Sequence, residues 1–175
     1  MLLTMTASRS GEIRGMRWEE LQLFDDKEAQ KRGYLGIWTR PAERMKAKRE
    51  HRVPITSAMY ELISDTNAHK GLVFKSKKLT TLSDMTLSAL MKRMHTSDEK
   101  GFVDQRSAIP AVPHGLRSTF RDWVAETGQS REAAELQLAH MFGTEVEHAY
   151  YRTDLLVERA KLLTRWFEFL ESKNG

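Results

Sequence analysis

Three short segments with strand composition lie in the first third of this chain, and they constrain its fold more than any other feature. Residues 18–23 alternate loosely between apolar and polar side chains, residues 34–39 are rich in aromatic and β-branched residues, and residues 52–55 form a third stretch. Pro54 falls near the end of the third segment, where a missing backbone donor matters least. We therefore expect a small antiparallel sheet with the basic segment before residue 52 as a connecting turn.

Helical patterns fill most of the remaining chain. Capping residues and apolar spacing predict helices over residues 4–17, from 56 or 57 to about 67, from 83 to about 94, from 114 to about 126, from 130 to about 140–142, around Tyr150, and from 154 to about 171. Residues 70–78 read as a lysine-rich loop or short strand, and residues 98–113 read as irregular. The predicted fold class is α+β, mainly α-helical, with one small three-stranded antiparallel sheet near the N-terminus.

The composition is that of one globular domain. With 175 residues, 40% of them hydrophobic, the chain is long enough to bury a core. Cysteine is absent, which excludes disulfides and thiolate metal sites and is compatible with a reducing cytoplasm. No stretch is long and apolar enough to cross a membrane. Residues 1–5 read as the end of a helix, so we expect residues 1–175 to be a single C-terminal domain of a longer protein.

The positive charge of the chain is concentrated in one segment. Residues 40–52 contain six basic and two acidic side chains, a net charge of +4 that equals the formal charge of the whole chain. A concentrated basic patch indicates a polyanionic partner. A solvated basic loop explains the same pattern equally well.

The candidate site residues are scattered along the chain. Arginine pairs bidentately with phosphate oxygens. Histidine gives or takes a proton near neutral pH, and tyrosine can act as a covalent nucleophile. Together these side chains suit the binding of one DNA phosphate and attack on it. In chain order they are Arg9, His114, Arg117, His140 and Tyr150.

Each of these residues also has a structural interpretation. Arg9 and Glu12 lie one helical turn apart, so Glu12 either orients Arg9 or forms an ordinary ion pair with it. His114 and Arg117 share the start of a helix, whose free N–H groups suit a phosphate, but the pair also arises by chance. His140 has apolar neighbours typical of a core histidine, and Tyr150 with Tyr151 could be an ordinary buried tyrosine pair. The six histidines show no close pair of metal ligands, and there is no phosphate-binding P-loop.

Taken together, the residues resemble the catalytic domain of tyrosine recombinases, the phage-integrase family, and especially the integrases of prophages and genomic islands. The family's Arg, Lys, His-x-x-Arg, His and Tyr match Arg9, Lys46, His114, Arg117, His140 and Tyr150. Lys48 is the alternative to Lys46, because the two could share one face of a strand. The sequence Ala-Tyr-Tyr-Arg at 149–152 favours Tyr150 over Tyr151 as the nucleophile. In place of the family's commoner glycine-containing lead-in to the first arginine, this chain has Thr-Ala-Ser at 6–8.

The resemblance implies a specific chemistry. Tyr150 would attack the scissile phosphate and form a 3′-phosphotyrosyl link, while Arg9 and Arg117 stabilise the transition state. Lys46 would protonate the leaving oxygen, His114 would assist proton movement at the tyrosine, and His140 would donate to a non-bridging oxygen. No cofactor or metal is implied, because these donors already neutralise the phosphate.

The resemblance also implies partners. These are double-stranded DNA attachment sites and further copies of the protein, assembled as a tetramer on DNA, whereas the isolated chain is expected to be a monomer and to have no membrane partner. The expected DNA-binding side chains are Arg44, Lys48, Arg49 and Arg52, and Glu12 is expected to support Arg9. The implied fold is that of the DNA breaking-rejoining enzymes, and we expect the full-length protein to have an N-terminal DNA-binding domain that residues 1–175 do not include.

Three rival functions remain at this stage: a non-catalytic DNA-binding module, a type IB topoisomerase and a purely structural protein, which salt-dependent DNA binding would exclude. A non-catalytic DNA-binding module would keep the fold without needing a tyrosine or both histidines, and a type IB topoisomerase would share the chemistry without choosing a site. The last helix has more large apolar residues than one face needs, including Leu162, Trp166 and Phe169. These indicate either a well-buried helix or a segment that docks on a neighbouring protomer.

Overall fold

The structure is a computed structural model that describes residues 1–66, 69–104, 107–140 and 153–172. Its described part is mainly helical with one small sheet, as the sequence predicts. The helices are α1 (Leu2–Thr6), α2 (Ser10–Arg14), α3 (Asp26–Arg32), α4 (Ser57–Ser64), α5 (Thr86–Ser97), α6 (Gly115–Glu126), α7 (Arg131–Gln137) and α8 (Leu156–Ser172). The strands are β1 (Leu21–Leu23), β2 (Gly36–Arg40) and β3 (His51–Ile55).

The sheet has the predicted antiparallel form, with strand order β1-β2-β3. Trp38 in the central strand pairs with Leu21 on one side and Val53 on the other, and it presents a buried indole to the core. Pro54 pairs with Ile37 from the edge strand β3, where its missing N–H breaks no inner ladder. The basic segment connects β2 to β3, as expected, and includes a short 3₁₀ helix at Ala42–Arg44.

The prediction of one continuous helix over residues 4–17 is wrong, because the structure has two short helices there, α1 and α2. Ala7 adopts a left-handed conformation with φ 48° and ends α1. Arg9 then takes an extended conformation and becomes the N-cap of α2. The break turns the Ala7 carbonyl away from a helical partner and towards the guanidinium of Arg117. A long-range contact therefore overrides the local helical preference of this segment.

Further boundaries differ from the predictions. The strand expected over residues 18–23 is wrong for its first half, where Trp18–Glu20 forms a 3₁₀ helix and only Leu21–Leu23 is extended. Helix α4, expected to reach about residue 67, ends at Ser64. Helix α5 begins at Thr86, three residues after the expected cap Ser83, whose hydroxyl lies 3.1 Å from that of Thr86. Helix α7 starts with the expected Ser130 cap but ends at Gln137, and Ala139 follows in a left-handed conformation. The short helix predicted around Tyr150 lies outside the described residues.

The core is built where α8 meets the N-terminal helices, α6 and α7. Trp166 is fully buried, stacks on Phe169, and meets Trp123 with ring centroids 5.1 Å apart. Its indole N–H donates to the Thr4 carbonyl at 2.8 Å, which satisfies the one polar group of the ring. The surplus apolar residues of α8 are thus packed within the chain itself, with Leu162 buried as well. No helix among the described residues has the length and apolar content needed to cross a membrane.

Candidate active site

Arg9 and Glu12 form the first part of the candidate site. The Glu12 carboxylate accepts one hydrogen bond from the Arg9 backbone N–H at 2.9 Å and another from its guanidinium at 3.0 Å. The Glu12 side chain is only 6% exposed, whereas that of Arg9 is 30% exposed. A buried carboxylate therefore holds the arginine while part of its guanidinium faces solvent. This contact is more than a surface ion pair, because Glu12 has a second cationic partner.

That second partner is Arg40, which the sequence analysis did not identify as a site residue. Arg40 is 1% exposed, donates to the Glu12 carboxylate, and lies 3.3 Å from the Ser8 hydroxyl. Its other terminal nitrogen donates to Nδ1 of His51. Burial lowers the pKa of Arg40 to about 10, although the Glu12 charge opposes that change. The one sequence signal for a buried Arg40 was its position two residues after Trp38, which places both side chains on the same face of the strand.

Arg117 links the two ends of the chain at this site. Its guanidinium donates to the Ala7 carbonyl and, at 2.7 Å, to the Leu138 carbonyl. One terminal nitrogen also lies 3.2 Å from Nε2 of His140. Burial, followed by the nearby charge of Arg9, lowers the pKa of Arg117 to about 10. The two candidate arginines therefore belong to one electrostatic site, although they are far apart in sequence.

His140 follows α7 and is oriented by a carboxylate from that helix. Its Nδ1 lies 2.8 Å from Oε2 of Glu135, which is 6% exposed, while the histidine side chain is 37% exposed. The other carboxylate oxygen of Glu135 accepts from Arg121 at 2.9 Å. Sequence reasoning missed Glu135. Its five-residue distance from His140 is not a helical spacing, and the contact depends on how the chain turns after Gln137.

The remaining candidate residues lie at the surface or outside the residues that the structure describes. His114 is the exposed N-cap residue of α6, at the helix start where the sequence placed it. Lys46 and Lys48 are exposed in turns after Ala42–Arg44, so the expectation that they share a strand face is wrong. Lys48 has a φ of 52°, incompatible with a regular strand. Tyr150 and Tyr151 lie outside the described residues.

The four candidate DNA-binding residues fall into two kinds. Arg44 pairs with Glu20 and donates to the Glu12 carbonyl at 3.0 Å, so its charge is already held in the fold. Arg52 pairs with Asp154 at the surface. Lys48 and Arg49 are exposed on the connecting segment, where phosphate groups can reach them.

A cleft of about 390 Å³ opens beside His140. Arg159 lies at its inner wall, 2% exposed, and its guanidinium donates to the carbonyl of Arg52 and the side chain of Gln137. Burial and the charge of Arg40 lower the pKa of Arg159 to about 9. The cleft is lined by Met45, Ala47, Arg49, Glu50, His51, Arg52, Leu136, Ala139, His140, Thr153, Asp154 and Arg159. Its charged lining is mixed, with three arginines and the two carboxylates of Glu50 and Asp154, the latter paired with Arg52.

Comparison with known proteins shows the family of this chain. Residues 1–155 match the model of the phage integrase family. The chain belongs to the phage integrase family. It is 28% identical over 176 residues to the prophage integrase IntA and 29% identical over 175 residues to the prophage integrase IntZ, both of Escherichia coli. It is also 26% identical over 179 residues to the integrase of Shigella phage Sf6.

These integrases are longer than the present chain. The matches cover 98% of this chain but 38% of IntA and IntZ and 41% of the Sf6 integrase. The chain thus spans about two fifths of the length of the relatives it matches. No solved structure matches it. In this integrase-family chain, the structure brings Arg9, Arg117 and His140 together and places His114, Lys46 and Lys48 at the surface.

Proposed function

We propose that this chain carries the catalytic site of a site-specific DNA recombinase, which breaks and rejoins DNA through a tyrosine. The observation that carries this proposal is that the buried Arg117 lies beside His140 and close enough to Arg9 to feel its charge, while the side chains of Arg9 and His140 are 30% and 37% exposed. Two arginine forks beside a histidine suit the non-bridging oxygens of a phosphodiester. Membership of the phage integrase family supports the same function, as do the names of the prophage integrases that it resembles.

The reaction is a transesterification at phosphorus. The Tyr150 oxygen attacks the scissile phosphate and forms a 3′-phosphotyrosyl ester, while the bond to the 5′ oxygen breaks. The tyrosine proton leaves and the departing oxygen gains one, so a free 5′-hydroxyl is released. Because the phosphoester is conserved in the tyrosyl link, the 5′-hydroxyl of a second strand can reverse the step without ATP.

Charge stabilisation is the main task of the arginines. The phosphate gains negative charge on its equatorial oxygens as the tyrosine attacks, and preoriented donors stabilise that charge best in a site with little water. Arg117 is held by two backbone carbonyls, and Arg9 is held by Glu12. Both cations therefore need little reorganisation when the phosphate binds.

Proton transfer is assigned to three further side chains. Lys46, or Lys48 in its place, protonates the leaving 5′ oxygen from the mobile end of a long side chain. His114 assists the removal of the tyrosine proton. His140 donates to a non-bridging oxygen beside Arg117, at the position where its Nε2 lies near that guanidinium.

The proposal extends to fold and partners. We propose the DNA breaking-rejoining fold for residues 1–175 as a single catalytic domain, with duplex attachment sites as substrate and a tetramer as the synaptic assembly. The exposed charges of Lys48 and Arg49 face the DNA backbone in this proposal. The paired arginines Arg44 and Arg52 contribute less to that contact, because each already has a carboxylate partner.

A covalent-capture experiment tests the function. The protein is incubated with a pool of nicked duplexes of randomised sequence, in which cleavage releases a short oligonucleotide and so prevents religation. We expect an adduct that survives SDS, with mass spectrometry of its peptides locating the nucleotide on Tyr150. Salt-sensitive binding without an adduct would indicate a non-catalytic DNA-binding module instead. Adducts spread over all sequences without preference would favour a topoisomerase.

A further inference from the structure

A buried carboxylate beside the candidate site has no role in the chemistry described above. Glu135 lies on α7 with a side chain that is 6% exposed, and both its oxygens have partners. Oε2 lies 2.8 Å from Nδ1 of His140, and Oε1 accepts from Nε of Arg121 at 2.9 Å. Burial of a carboxylate is costly unless hydrogen bonds compensate for the lost water. The two contacts of Glu135 therefore compensate for its burial, and the contact with His140 joins it to the candidate site.

The contacts of His140 determine where its protons lie. An ionised carboxylate only accepts hydrogen bonds, so Nδ1 must carry the proton that joins it to Glu135. At the other ring nitrogen, 3.2 Å away, is a terminal nitrogen of Arg117, which only donates. In the neutral ring, Nε2 must then present its lone pair to Arg117. The two contacts together select the Nδ1–H tautomer over the alternative.

We propose that Glu135 is a positioning residue, which holds the His140 ring with Nδ1 protonated and Nε2 directed to the phosphate position beside Arg117. The catalytic part of this inference rests on the proposed function. In the doubly protonated ring, Nε2 then carries the proton that is donated to a non-bridging oxygen. Without Glu135, the ring is free to rotate and its doubly protonated form loses the carboxylate partner, so the donor at Nε2 is neither held in position nor stabilised in charge.

The neighbouring ion pair offers a control. Arg121 is 56% exposed and contacts the carboxylate oxygen that does not face His140. Substitution of Arg121 by Gln removes this ion pair but leaves the acceptor of Nδ1 in place. Substitution of Glu135 by Gln removes the negative charge but keeps a carbonyl oxygen that can accept from Nδ1–H. Only Glu135→Ala removes the acceptor itself.

The test combines NMR with covalent capture. Histidine labelled with ¹⁵N reports the tautomer directly, and the His140 signals are assigned by their loss in His140→Gln. We expect a protonated Nδ1 and an unprotonated Nε2 for neutral His140 in the wild type and in Arg121→Gln. In Glu135→Ala we expect a mixture of tautomers or the Nε2–H form, together with a rate of covalent capture reduced by about 10- to 100-fold. Glu135→Gln should lose less of that rate than Glu135→Ala.

The outcomes separate the two proposals. A wild-type His140 in the Nε2–H form, or a tautomer unchanged in Glu135→Ala and Glu135→Gln, would overturn the positioning role whatever the activity. Full capture by a Glu135→Ala protein with an altered tautomer would overturn its catalytic importance. A wild type that forms no DNA adduct contradicts the proposed function, while the NMR result still decides whether Glu135 sets the ring. If Glu135→Ala fails to fold, the rates of covalent capture decide: a rate for Glu135→Gln below that of Arg121→Gln supports the positioning role, and equal rates would overturn it.

Discussion

Glu12 and Arg40 form an ion pair in the interior of the protein, with side chains 6% and 1% exposed. The same carboxylate also binds the partly exposed Arg9, so one acidic group pairs with an arginine of the core and an arginine of the candidate site. Because Arg40 also donates to His51 on β3, the position of Arg9 depends on the sheet as well as on its own helix. Stability and site geometry are therefore coupled through Glu12.

This coupling predicts a large effect of Glu12→Ala. The substitution leaves Arg40 buried without its carboxylate, and breaking a buried ion pair costs about 3–5 kcal/mol. Urea denaturation should show that decrease in the free energy of unfolding. The matched control is Glu28→Ala, which breaks the exposed pair with Arg32 on α3 and should cost about 0–1 kcal/mol. Equal effects of the two substitutions would show that Glu12 does not compensate a buried charge.

Stability should depend on pH through His51. Burial, and then the positive charges of Arg40 and Arg159, holds the pKa of His51 well below its usual value of 6.5. Below pH 6.5 the unfolded chain binds a proton here that the folded chain does not. The free energy of unfolding therefore falls as the pH drops below about 6.5, by at most ~1.4 kcal/mol per pH unit for this one group.

The variant His51→Asn isolates that contribution. Its amide oxygen can still accept from Arg40, but the residue has no proton to gain in this range. Stability measured by urea denaturation between pH 5 and pH 8 should fall less steeply in the variant than in the wild type. Parallel curves for the two proteins would mean that His51 does not resist protonation in the fold.

Arg117→Lys should impair the reaction severely while leaving the chain folded. A lysine cannot reach the carbonyls of Ala7 and Leu138 together or offer two parallel donors to a phosphate. We expect covalent capture to slow by about 100-fold or more, as for the loss of a donor to a transition-state oxygen. Arg165→Lys, at an exposed arginine that donates to Gln129, serves as the control and should react normally. Near-normal capture by Arg117→Lys would exclude the proposed role.

DNA binding should respond differently to the two kinds of basic residue on the connecting segment. Replacing both Lys48 and Arg49 by Gln removes two exposed charges, so the slope of log affinity against log salt, which is negative, should decrease in magnitude by about 1.8. Arg44→Gln should instead lower stability, because it breaks the contacts with Glu20 and the Glu12 carbonyl. A salt slope that Arg44→Gln reduces more than the double variant would reverse this assignment.

The sequence predicted those parts of the fold that depend on local patterns. Alternation and a proline near a strand end located the sheet, and Ser130 caps α7 as expected. The break at Ala7 was not predictable in this way, since alanine itself favours a helix and the left-handed turn is fixed by Arg117 from a distant helix.

The same limit applies to the candidate site. Arg9, Arg117 and His140 were recognisable from residue type and order. Arg40 and Glu135 were missed because each contacts a partner that only the fold brings near. Arg40 contacts Glu12 of α2. Glu135 contacts His140, which follows the turn after α7. Buried residues that orient other side chains carry no motif of their own.

The central claim, that Tyr150 forms a covalent bond to DNA, is tested most directly by two phenylalanine variants. Covalent capture on nicked duplexes is compared for Tyr150→Phe and Tyr151→Phe, with non-covalent binding measured in parallel. We predict that Tyr150→Phe forms no adduct but binds DNA as the wild type does, while Tyr151→Phe still forms one. Loss of the adduct in Tyr151→Phe alone, or an adduct that persists in Tyr150→Phe, would contradict the account.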